Sequence, residues 1–479
     1  MRYVVGKEEY FAAFRKQNGL KPLEKRGWFF HLFRDEAFVA VGPGGDVGAD
    51  HGDCPGLLFL ICFFTHNIIY FYIEKEVVFM RKIPFSPPDI TEEEIQEVCQ
   101  ALRSGWITTG PKTKEFERQV AAFCGTDRAV CLNSATACLE MTLRILGIGP
   151  GDEVITSAYT YTASASPVCH VGAKPVLVDT LPGSYEMDPE KLAAAFTERT
   201  KAVIPVDIAG ILADYDTIYS IVESKKGLFT PANDLQKKIG RVAVVADGAH
   251  SFGAQRHGKR SGCFADFTTF SFHAVKNLTT AEGGAATWNP ALALDDEAIY
   301  KQYMLLSLHG QSKDALAKTK PGAWEYDIVA PLYKCNMTDI MAGIGLAQLR
   351  RYPGLLEKRY KLVRLYNELL ADCGVEHAPH FREDEVSSCH LYLTRLTGMT
   401  MAQRNAIIEK MAEQGVATNV HYKPLPLLTA YKDLGFDIAD YPCALAQFEN
   451  EITLPLYSTL TEEDVRYICQ TLKACLQDG

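Results

Sequence analysis

One stretch of the chain, FTTFSFHAVKNLTTAEGGAAT at residues 267–287, places a single lysine between two segments that read as strands. Lys276 follows Ser271 and His273 and precedes a double glycine. The ordinary interpretation is a solvated lysine in a surface loop. The alternative is a lysine that forms a covalent bond, because a partly desolvated site favours the neutral, nucleophilic amine.

Two further segments place candidate ligand-binding residues after apolar runs. In NSAT, small residues at a helix start leave backbone N–H groups free for an anion, so Ala135 and Thr136 could cradle a phosphate. The alternative is an ordinary helix cap by Ser134. Tyr161 could stack on a flat ligand or could pack in the core.

Asp247 ends the apolar run VAVVAD, and His250 follows three residues later. A carboxylate at that place could hold a protonated ring nitrogen, or it could cap the next helix. His250 could reach the same ligand or could be structural. The combination of a cradle, an aromatic platform, a carboxylate and a lysine is typical of a pyridoxal 5'-phosphate site.

In that site each residue type has a chemical task. Lys276 would form a Schiff base with the aldehyde, and Asp247 would keep the pyridine nitrogen protonated so that the ring acts as an electron sink. Ser271 would add a hydrogen bond to the phosphate. The double glycine would let the chain turn sharply back into a strand.

Elements that could position these residues alternate along the chain from Ile83 onward. Strand-like runs such as RAVCLN, EVITS, KPVLVDT, KAVIPV and RVAVVAD alternate with helix-like segments such as ATACLEMTLRIL and DPEKLAAAF. This order predicts an α/β fold with a mostly parallel central sheet covered on both faces. Sites in such sheets lie at the carboxyl ends of the strands, a rule that also selects Thr160 and Asp207.

The chain divides into three parts by pattern. Residues 80–345 are expected to form a large cofactor-binding domain with a surface insertion at about 219–240, and residues 346–479 a smaller α+β domain. Residues 1–79 do not match the rest. Their apolar run at 57–73 could be a membrane span or a buried strand pair, but we favour a protein that starts at Met80.

Composition narrows the function classes. The net charge is −10 and no basic stretch has interleaved aromatics, so no nucleic-acid partner is predicted. The 14 cysteines include no CxxC pair, so no metal site is predicted, and they read as reduced thiols of a cytoplasmic protein.

Six segments together resemble one family, the DegT/StrS-type pyridoxal-phosphate sugar-nucleotide aminotransferases. The segments are SGWITTGPKTKEFE, NSATACLEMTL, GDEVITSAYTYTAS, SFHAVKNLTTAEGGA, YKCNMTDIMAGIGLAQL and NVHYKPLPLL, in family order. The closest resemblance is to enzymes that aminate C4 of UDP-linked 4-keto sugars, which include the UDP-4-amino-4-deoxy-L-arabinose and UDP-4-amino-4,6-dideoxy-N-acetyl-altrosamine transaminases. The resemblance covers the chain from about Ile83 to the C-terminus.

The resemblance implies an aspartate-aminotransferase-like fold (fold type I), L-glutamate or 2-oxoglutarate as amino-group partner, a role in cell-surface polysaccharide biosynthesis, and a homodimer with shared active sites. It assigns catalysis to Lys276, Asp247 and His250. It assigns cofactor contacts also to Ala135, Thr136, Tyr161, Ser271, Lys334 and Asn336, with Lys334 directed toward the partner subunit's phosphate site. It assigns substrate contacts to Phe85, Gly105, Trp106, Ile107, Thr108, Val420, His421, Tyr422 and Lys423.

The sequence departs from the family pattern at three places. Ala246 and Gly248 flank Asp247 where the family usually has Glu-Asp-Ala, the insertion is longer, and residues 1–79 have no counterpart. Two other functions stay open: a sugar dehydratase, which would carry histidine in place of Lys276, and a non-catalytic regulator or membrane-tethered sensor.

Overall fold

The computed structural model describes residues 81–312 and 325–477, together with the backbone of short strands between residues 29 and 81. These strands form an antiparallel sheet in sequential order: β1 (Phe29–Phe33), β2 (Ala37–Val41), β3 (Ile61–Thr65), β4 (Ile68–Ile73) and β5 (Glu76–Arg81). The described part of the apolar run at 57–73 therefore forms a strand pair, β3 and β4. Among the described residues, no helix is both long and apolar enough to cross a membrane.

The central feature of the chain between residues 129 and 288 is a seven-stranded sheet. Its strands are β6 (Ala129–Leu132), β7 (Glu153–Ser157), β8 (Lys174–Val178), β9 (Thr200–Ile204), β10 (Ala243–Asp247), β13 (Phe267–Ser271) and β14 (Gly284–Trp288), in the order β6-β14-β13-β10-β9-β7-β8. Only β14 runs antiparallel to its neighbours. Strands β7, β9 and β10 are buried along their whole length, as the predicted two-sided cover requires.

The helices carry the start and stop signals of the sequence. Their bounds are α1 (Glu92–Ser104), α2 (Pro111–Cys124), α3 (Ala135–Ile145), α4 (Ser166–His170), α5 (Pro189–Ala194), α6 (Tyr215–Ser224), α7 (Asp234–Ile239), α8 (Asp296–Ser307), α9 (Asp339–Leu370), α10 (Met401–Glu413), α11 (Thr429–Asp433), α12 (Pro442–Asn450) and α13 (Glu462–Gln477). Asp188 caps α5 with its carboxylate, and Pro189 is the first helical residue, as predicted.

The predicted insertion at 219–240 contains the end of α6 and all of α7. Asn233 and Gln236 both donate side-chain hydrogen bonds to the backbone oxygen of Leu146, at 2.9 and 2.8 Å. Because Leu146 follows α3, these bonds satisfy a carbonyl at the helix end that has no intrahelical partner. The insertion therefore braces the C-terminal end of the helix whose N-terminus lies at the site.

The C-terminal part begins within one continuous helix, since α9 runs through the predicted boundary at 345/346. Beyond it, β15 (Glu376–His377), β18 (Tyr392–Arg395) and β19 (Glu451–Leu454) form an antiparallel sheet. A second small sheet combines β11 (Gln255–Arg256) and β12 (Lys259–Arg260) with β16 (Phe381–Arg382) and β17 (Glu385–Val386). The strand predicted near Leu391 is β18, whereas Val416 makes only a single bridge, to Ile83.

Candidate active site

Strand register brings the predicted residues to one edge of the central sheet. Asp247 is paired with Thr269 across β10 and β13, Ser271 with Gly284 across β13 and β14, and Gly284 with Leu132 across β14 and β6. Each of these strands ends or begins at this edge. The start of α3, three residues after the end of β6, completes the row.

The start of α3 lies directly against Gly284. A Cβ on Gly284 would come within 2.4 Å of both the Ala135 nitrogen and the Ser134 carbonyl carbon. Ser134 caps the helix by accepting a bond from Ala137 N at 3.1 Å, so the capping interpretation is confirmed. The cap uses Ser134 alone, and the first-turn N–H groups of Ala135 and Thr136 remain suited to an anion.

The turn explanation of the double glycine is wrong. Neither Gly283 nor Gly284 has a φ in the left-handed region. A Cβ on Gly283 would instead come within 2.1 Å of Thr280 Oγ1. Both glycines are required by close approach of neighbouring atoms, and at Gly284 the neighbour is the helix start that could hold a phosphate.

Lys276 lies in the turn that follows β13, where its backbone N–H donates to His273 O at 2.9 Å. The side chain is partly buried. Desolvation lowers the pKa of Lys276 to about 8, and the nearby Asp247 carboxylate opposes part of that shift. The amine is therefore neutral far more often near pH 7 than that of a solvated lysine, so the surface-loop interpretation fails.

Asp247 is 7% exposed and accepts hydrogen bonds from Ser164 Oγ at 2.6 Å and from Ala249 N at 3.1 Å. Ser164 belongs to the segment after β7, so a neighbouring strand end fixes the orientation of the carboxylate. A buried, oriented carboxylate of this kind is suited to pair with a cationic ring nitrogen.

His250 is buried, and its hydrogen bonds define its tautomer. Ala209 N donates to Nδ1 at 3.2 Å, so the ring proton lies on Nε2, which is 3.1 Å from the Tyr422 hydroxyl. Burial, Lys276 and His421 together hold the pKa of His250 well below its usual value. The residue is thus a neutral hydrogen-bond donor directed to the same space as Tyr422.

Tyr161 is not a core residue, because 59% of it is exposed. Its ring lies 5.6 Å from that of Tyr422 at an interplanar angle of 38°. The core-packing interpretation is therefore wrong, and an exposed aromatic face lies beside His250 and Tyr422.

The predicted substrate residues separate into two groups. Phe85 stacks on His421 at 5.6 Å and 20°, and His421 and Tyr422 lie beside His250. Val420 and Lys423 flank them and are partly or fully exposed. Lys276 lies near this group, and its charge contributes to lowering the pKa of His421.

The second group is the loop of Gly105, Trp106, Ile107 and Thr108, which is held elsewhere. Thr108 O accepts a bond from Asp339 N, and a Cβ on Gly110 would come within 3.2 Å of the Trp106 ring. Ile107 is 52% exposed. Within the described residues, the hydrogen bonds of this loop lead to the end of α1 and to the start of α9, and not to Lys276.

Lys334 and Asn336 also make their hydrogen bonds away from Lys276. Lys334 Nζ donates to Asn336 Oδ1, and Asn336 Nδ2 donates to Thr109 Oγ1 at 2.6 Å. Asn336 also forms a bridge with Leu132, the last residue of β6. The segment thus joins the loop after α1 to the strand that leads into the cradle.

Sequence reasoning missed Asp339. Its buried carboxylate accepts from Gly110 N, Lys112 N, Thr113 N and Thr113 Oγ1 at 2.7–3.0 Å. An acidic residue in the first turn of a helix is common and does not by itself indicate a special role. The one sequence signal for Asp339 is that it lies in YKCNMTDIMAGIGLAQL, one of the six segments that resemble the family. Asp339 fixes the start of α2 and, through it, the loop before it.

Asp207, which the strand-end rule selects, already accepts protein hydrogen bonds at both carboxylate oxygens. It accepts from Ala213 N, Tyr215 Oη and Ser251 Oγ at 2.6–3.0 Å. Burial raises the pKa of Asp207 to about 7. Its own N–H donates to Asp247 O, so it supports the backbone of Asp247 from behind.

Comparison with known proteins identifies the family of the chain. The model of the DegT/DnrJ/EryC1/StrS aminotransferase family matches residues 88–473. The chain belongs to this family. Its members are pyridoxal-phosphate enzymes of fold type I, and the chain is accordingly a sugar aminotransferase of this kind.

Relatives in three bacteria cover nearly the whole matched region. The chain is 36% identical over 397 residues to the spore coat polysaccharide biosynthesis protein SpsC of Bacillus subtilis, covering 82% of this chain and 96% of SpsC. It is 56% identical to the PMP form of Spr1654 from Streptococcus pneumoniae, with a TM-score of 0.81 and coverage of 83% and 100%. PseC of Helicobacter pylori, an aminotransferase involved in pseudoaminic acid biosynthesis, is 26% identical with a TM-score of 0.73 and coverage of 83% and 100%.

The residues of this chain fit the family's cofactor. Gly284 leaves room at the N-terminus of α3 for a phosphate, Asp247 is oriented for a ring nitrogen, and Lys276 is a partly neutral amine. The exposed face of Tyr161 could stack on the ring.

Proposed function

We propose that this sugar aminotransferase moves the amino group of L-glutamate to the C4 keto group of a UDP-linked 4-keto sugar. The observation that carries the proposal is the meeting of Lys276, Asp247 and the helix start of α3 at one sheet edge. The choice of substrate rests on the GWIT and VHYK segments and on the sugar pathways in the names of SpsC and PseC.

When bound, pyridoxal phosphate supplies an aldehyde that accepts the amino group and a ring that draws electrons from the substrate carbon. Lys276 Nζ is the amine placed to bond to that aldehyde. As a free amine, the same nitrogen would be placed to carry a proton to and from the substrate carbon. The lowered pKa of Lys276, about 8, suits both tasks near neutral pH because the neutral form is accessible.

Asp247 and His250 orient the ring in this proposal. The Asp247 carboxylate would hold the proton on the ring nitrogen, and the Nε2–H of His250 would be available to donate a hydrogen bond to the cofactor. Because His250 Nδ1 is fixed by Ala209 N, the donor cannot turn away without breaking that bond. Ala135, Thr136 and Ser271 hold the phosphate.

Phe85, Val420, His421, Tyr422 and Lys423 are proposed to contact the sugar nucleotide. Phe85 and His421 present stacked rings, and Lys423 presents an exposed cation that suits a diphosphate.

We further propose a homodimer with shared active sites. Large apolar side chains are exposed near the site and near the Lys334 segment; these are Ile107, Val275, Tyr326, Ile328, Val329 and Tyr333. A second copy that covers them would also bring the Gly105–Thr108 loop, Lys334 and Asn336 toward the other subunit's site. Exposed apolar clusters of this kind mark protein contact surfaces.

The test is incubation of the full chain with glutamate and a panel of UDP-linked 4-keto sugars, read by mass spectrometry. The expected product has an amino group in place of the keto oxygen, together with 2-oxoglutarate. A product that has lost a hydroxyl instead would support a dehydratase, which Lys276 argues against because those enzymes carry histidine there. No turnover by a cofactor-loaded, dimeric protein would favour the non-catalytic regulator.

A further inference from the structure

A buried carboxylate lies behind the proposed substrate-binding segment. Glu451, the first residue of β19, is fully buried. Its Oε2 accepts from the backbone N–H of His421 at 2.9 Å, and its Oε1 accepts from Thr453 Oγ1 at 2.6 Å. The same Thr453 hydroxyl lies 2.8 Å from His421 Nδ1. Glu451, Thr453 and His421 therefore form a continuous hydrogen-bonded chain, which we name the Glu451 relay.

The groups around Glu451 do not neutralise its carboxylate directly. Arg404 Nη1 donates to the backbone oxygen of Glu451 at 2.8 Å, and Arg395 is its neighbour across β18 and β19. Tyr159, Tyr185 and Tyr422 lie near enough for the charge of Glu451 to raise their pKa values, and Tyr159 donates to His421 O. Burial outweighs the hydrogen bonds from Thr453 and His421 and the charge of Arg404, and raises the pKa of Glu451 to about 8.

His421 stays neutral across the same range. Burial and the charge of Lys276 lower the pKa of His421 to about 3. A neutral imidazole carries one proton, on Nδ1 or on Nε2. Nε2 makes no hydrogen bond to the described residues, so it is free to contact a bound molecule.

Donor counting fixes the tautomer when Glu451 is ionised. A threonine hydroxyl has one hydrogen, and here that hydrogen goes to Glu451 Oε1. Thr453 Oγ1 can then only accept from His421, so the ring proton lies on Nδ1. Nε2 consequently presents a lone pair to the site.

The pattern reverses when Glu451 gains a proton. Oε2 is held by the His421 N–H, so the proton lies on Oε1 and donates to Thr453 Oγ1. The Thr453 hydrogen then points to His421 Nδ1, which must be unprotonated, and Nε2 carries the hydrogen. The balance is one proton: it enters at Nε2, the Nδ1 proton passes to Thr453, and the Thr453 proton passes to Glu451.

We propose that the Glu451 relay sets the tautomer of His421 and thereby decides whether the site presents a hydrogen-bond donor or an acceptor to the sugar nucleotide. The consequence for substrate binding rests on the function proposed above. Keto and phosphate oxygens only accept hydrogen bonds, so the donor form, present when Glu451 is protonated, is the binding form. Glu451 and Thr453 are thus positioning residues, which act through His421.

The sign of the pH dependence follows from the raised pKa of Glu451. Below pH 8 the carboxyl is mostly protonated and His421 Nε2 donates, whereas above pH 8 Nε2 accepts. The KM for the keto sugar should therefore rise about five- to tenfold as the pH passes from 7 to 9, which is the effect of losing one hydrogen bond.

The first experiment reads the tautomer without turnover. The cofactor-loaded full chain, labelled with ¹⁵N-histidine, is measured by NMR at pH 6.5 and 9.5, and the His421 signals among the 12 histidines are assigned by their loss in His421→Asn. The expected result is a shift of the proton from Nε2 to Nδ1 between the two pH values. The same tautomer at both values would overturn the relay.

Matched variants separate the relay from a merely structural role. In Glu451→Gln the amide donates to Thr453 at every pH, so Nε2 should stay protonated and the KM ratio between pH 9 and pH 7 should be about five- to tenfold smaller than in the unmodified protein. Thr453→Val should remove the switch, and Thr453→Ser, which keeps the hydroxyl, should restore it. Any pH effect that passes through Lys276 is common to all of these proteins, so it cancels when their KM ratios are compared.

If Glu451→Gln does not fold, the Thr453 pair alone decides, and an unaltered switch in Thr453→Val would overturn the proposal. A switch that is present in a protein that converts none of the keto sugars supports the relay and contradicts the proposed function. The two conclusions therefore fail separately.

Discussion

A methyl group on Gly284 would lie 2.4 Å from the backbone nitrogen of Ala135, closer than any carbon can approach. Gly284 is the first residue of β14, and Ala135 is the first residue of α3. The two meet where a phosphate would be held. The absence of a side chain at residue 284 therefore leaves the space that the proposed phosphate cradle needs.

Gly284→Ala should weaken pyridoxal phosphate binding by at least about tenfold, because the first turn of α3 must move. Cofactor titration by absorbance measures the loss. Gly354→Ala is the matched control: a Cβ there meets nothing within 4 Å, and in a helix the change should stabilise the fold by about 1 kcal/mol. Equal cofactor affinity in the two variants would contradict the cradle.

Lys276→Ala should abolish transamination and leave the fold intact. The Lys276 side chain is only partly buried, and it makes no hydrogen bond or ion pair to the described residues that would hold the fold together. Borohydride reduction followed by peptide mapping should label Lys276 in the unmodified protein. The exposed Lys432→Ala serves as control and should keep full activity. A pyridoxyl label on another lysine would refute the assignment.

Asp247→Asn should still bind the cofactor, but its turnover should be roughly a hundredfold slower because an amide cannot hold the proton on the ring nitrogen. This factor corresponds to an increase of about 3 kcal/mol in the activation free energy. Single-turnover kinetics with glutamate isolate this step. The exposed Asp440→Asn should have no effect. Near-normal turnover in Asp247→Asn would mean that another group protonates the ring.

Asp339→Asn should destabilise the fold by about 3 kcal/mol. The NH2 group of the new amide cannot accept hydrogen bonds, so some of the N–H donors that now share the Asp339 carboxylate would lose their acceptor. Denaturant unfolding measures this change, and the KM for the sugar nucleotide should rise because the Gly105–Thr108 loop is released. Thr338→Ala removes only the cap of α9 and should cost about 1 kcal/mol. An unchanged KM in Asp339→Asn would mean that the Gly105–Thr108 loop does not contact the substrate.

A chain that begins at Met80 should be soluble, dimeric, yellow and active, because the family match spans residues 88–473 and every predicted site residue lies within 85–423. Size-exclusion chromatography, absorbance and the turnover assay compare it with the full chain. An insoluble or colourless truncation would show that residues 1–79 belong to the fold. Membrane partitioning of the full chain alone would identify an anchor at 57–73.

Much of the large domain was accessible from the sequence because strand and helix signals there are local. The cap at Asp188, the strand that ends at Asp247 and the helix after Ser134 were all found at the predicted places. The strand-end rule then gathered Asp247 and Ser271 without knowledge of strand order.

The residues that were not found act over long sequence separations. Asp339 serves donors more than 220 residues away, and Glu451 serves His421 from 30 residues away. Hydrophobic periodicity predicts local secondary structure and gives no information on such long-range contacts. An acidic residue within a predicted strand only interrupts the apolar pattern, so its role cannot be predicted from the pattern. The role of Gly284 was misjudged for the same reason, since its neighbour Ala135 is remote in sequence.

Helix α9 joins two places that must be aligned with each other. Near its start, Asp339 holds Gly110 and Thr113; near its end, Tyr366 donates to Pro455 O at 2.7 Å and stacks on Tyr392. One residue added between them would rotate the far end by about 100° and advance it by about 1.5 Å. Even a whole added turn would separate the ends by about 5.4 Å more. The helix can accept new side chains on its outer surface, but its length is fixed by the two partners it must face.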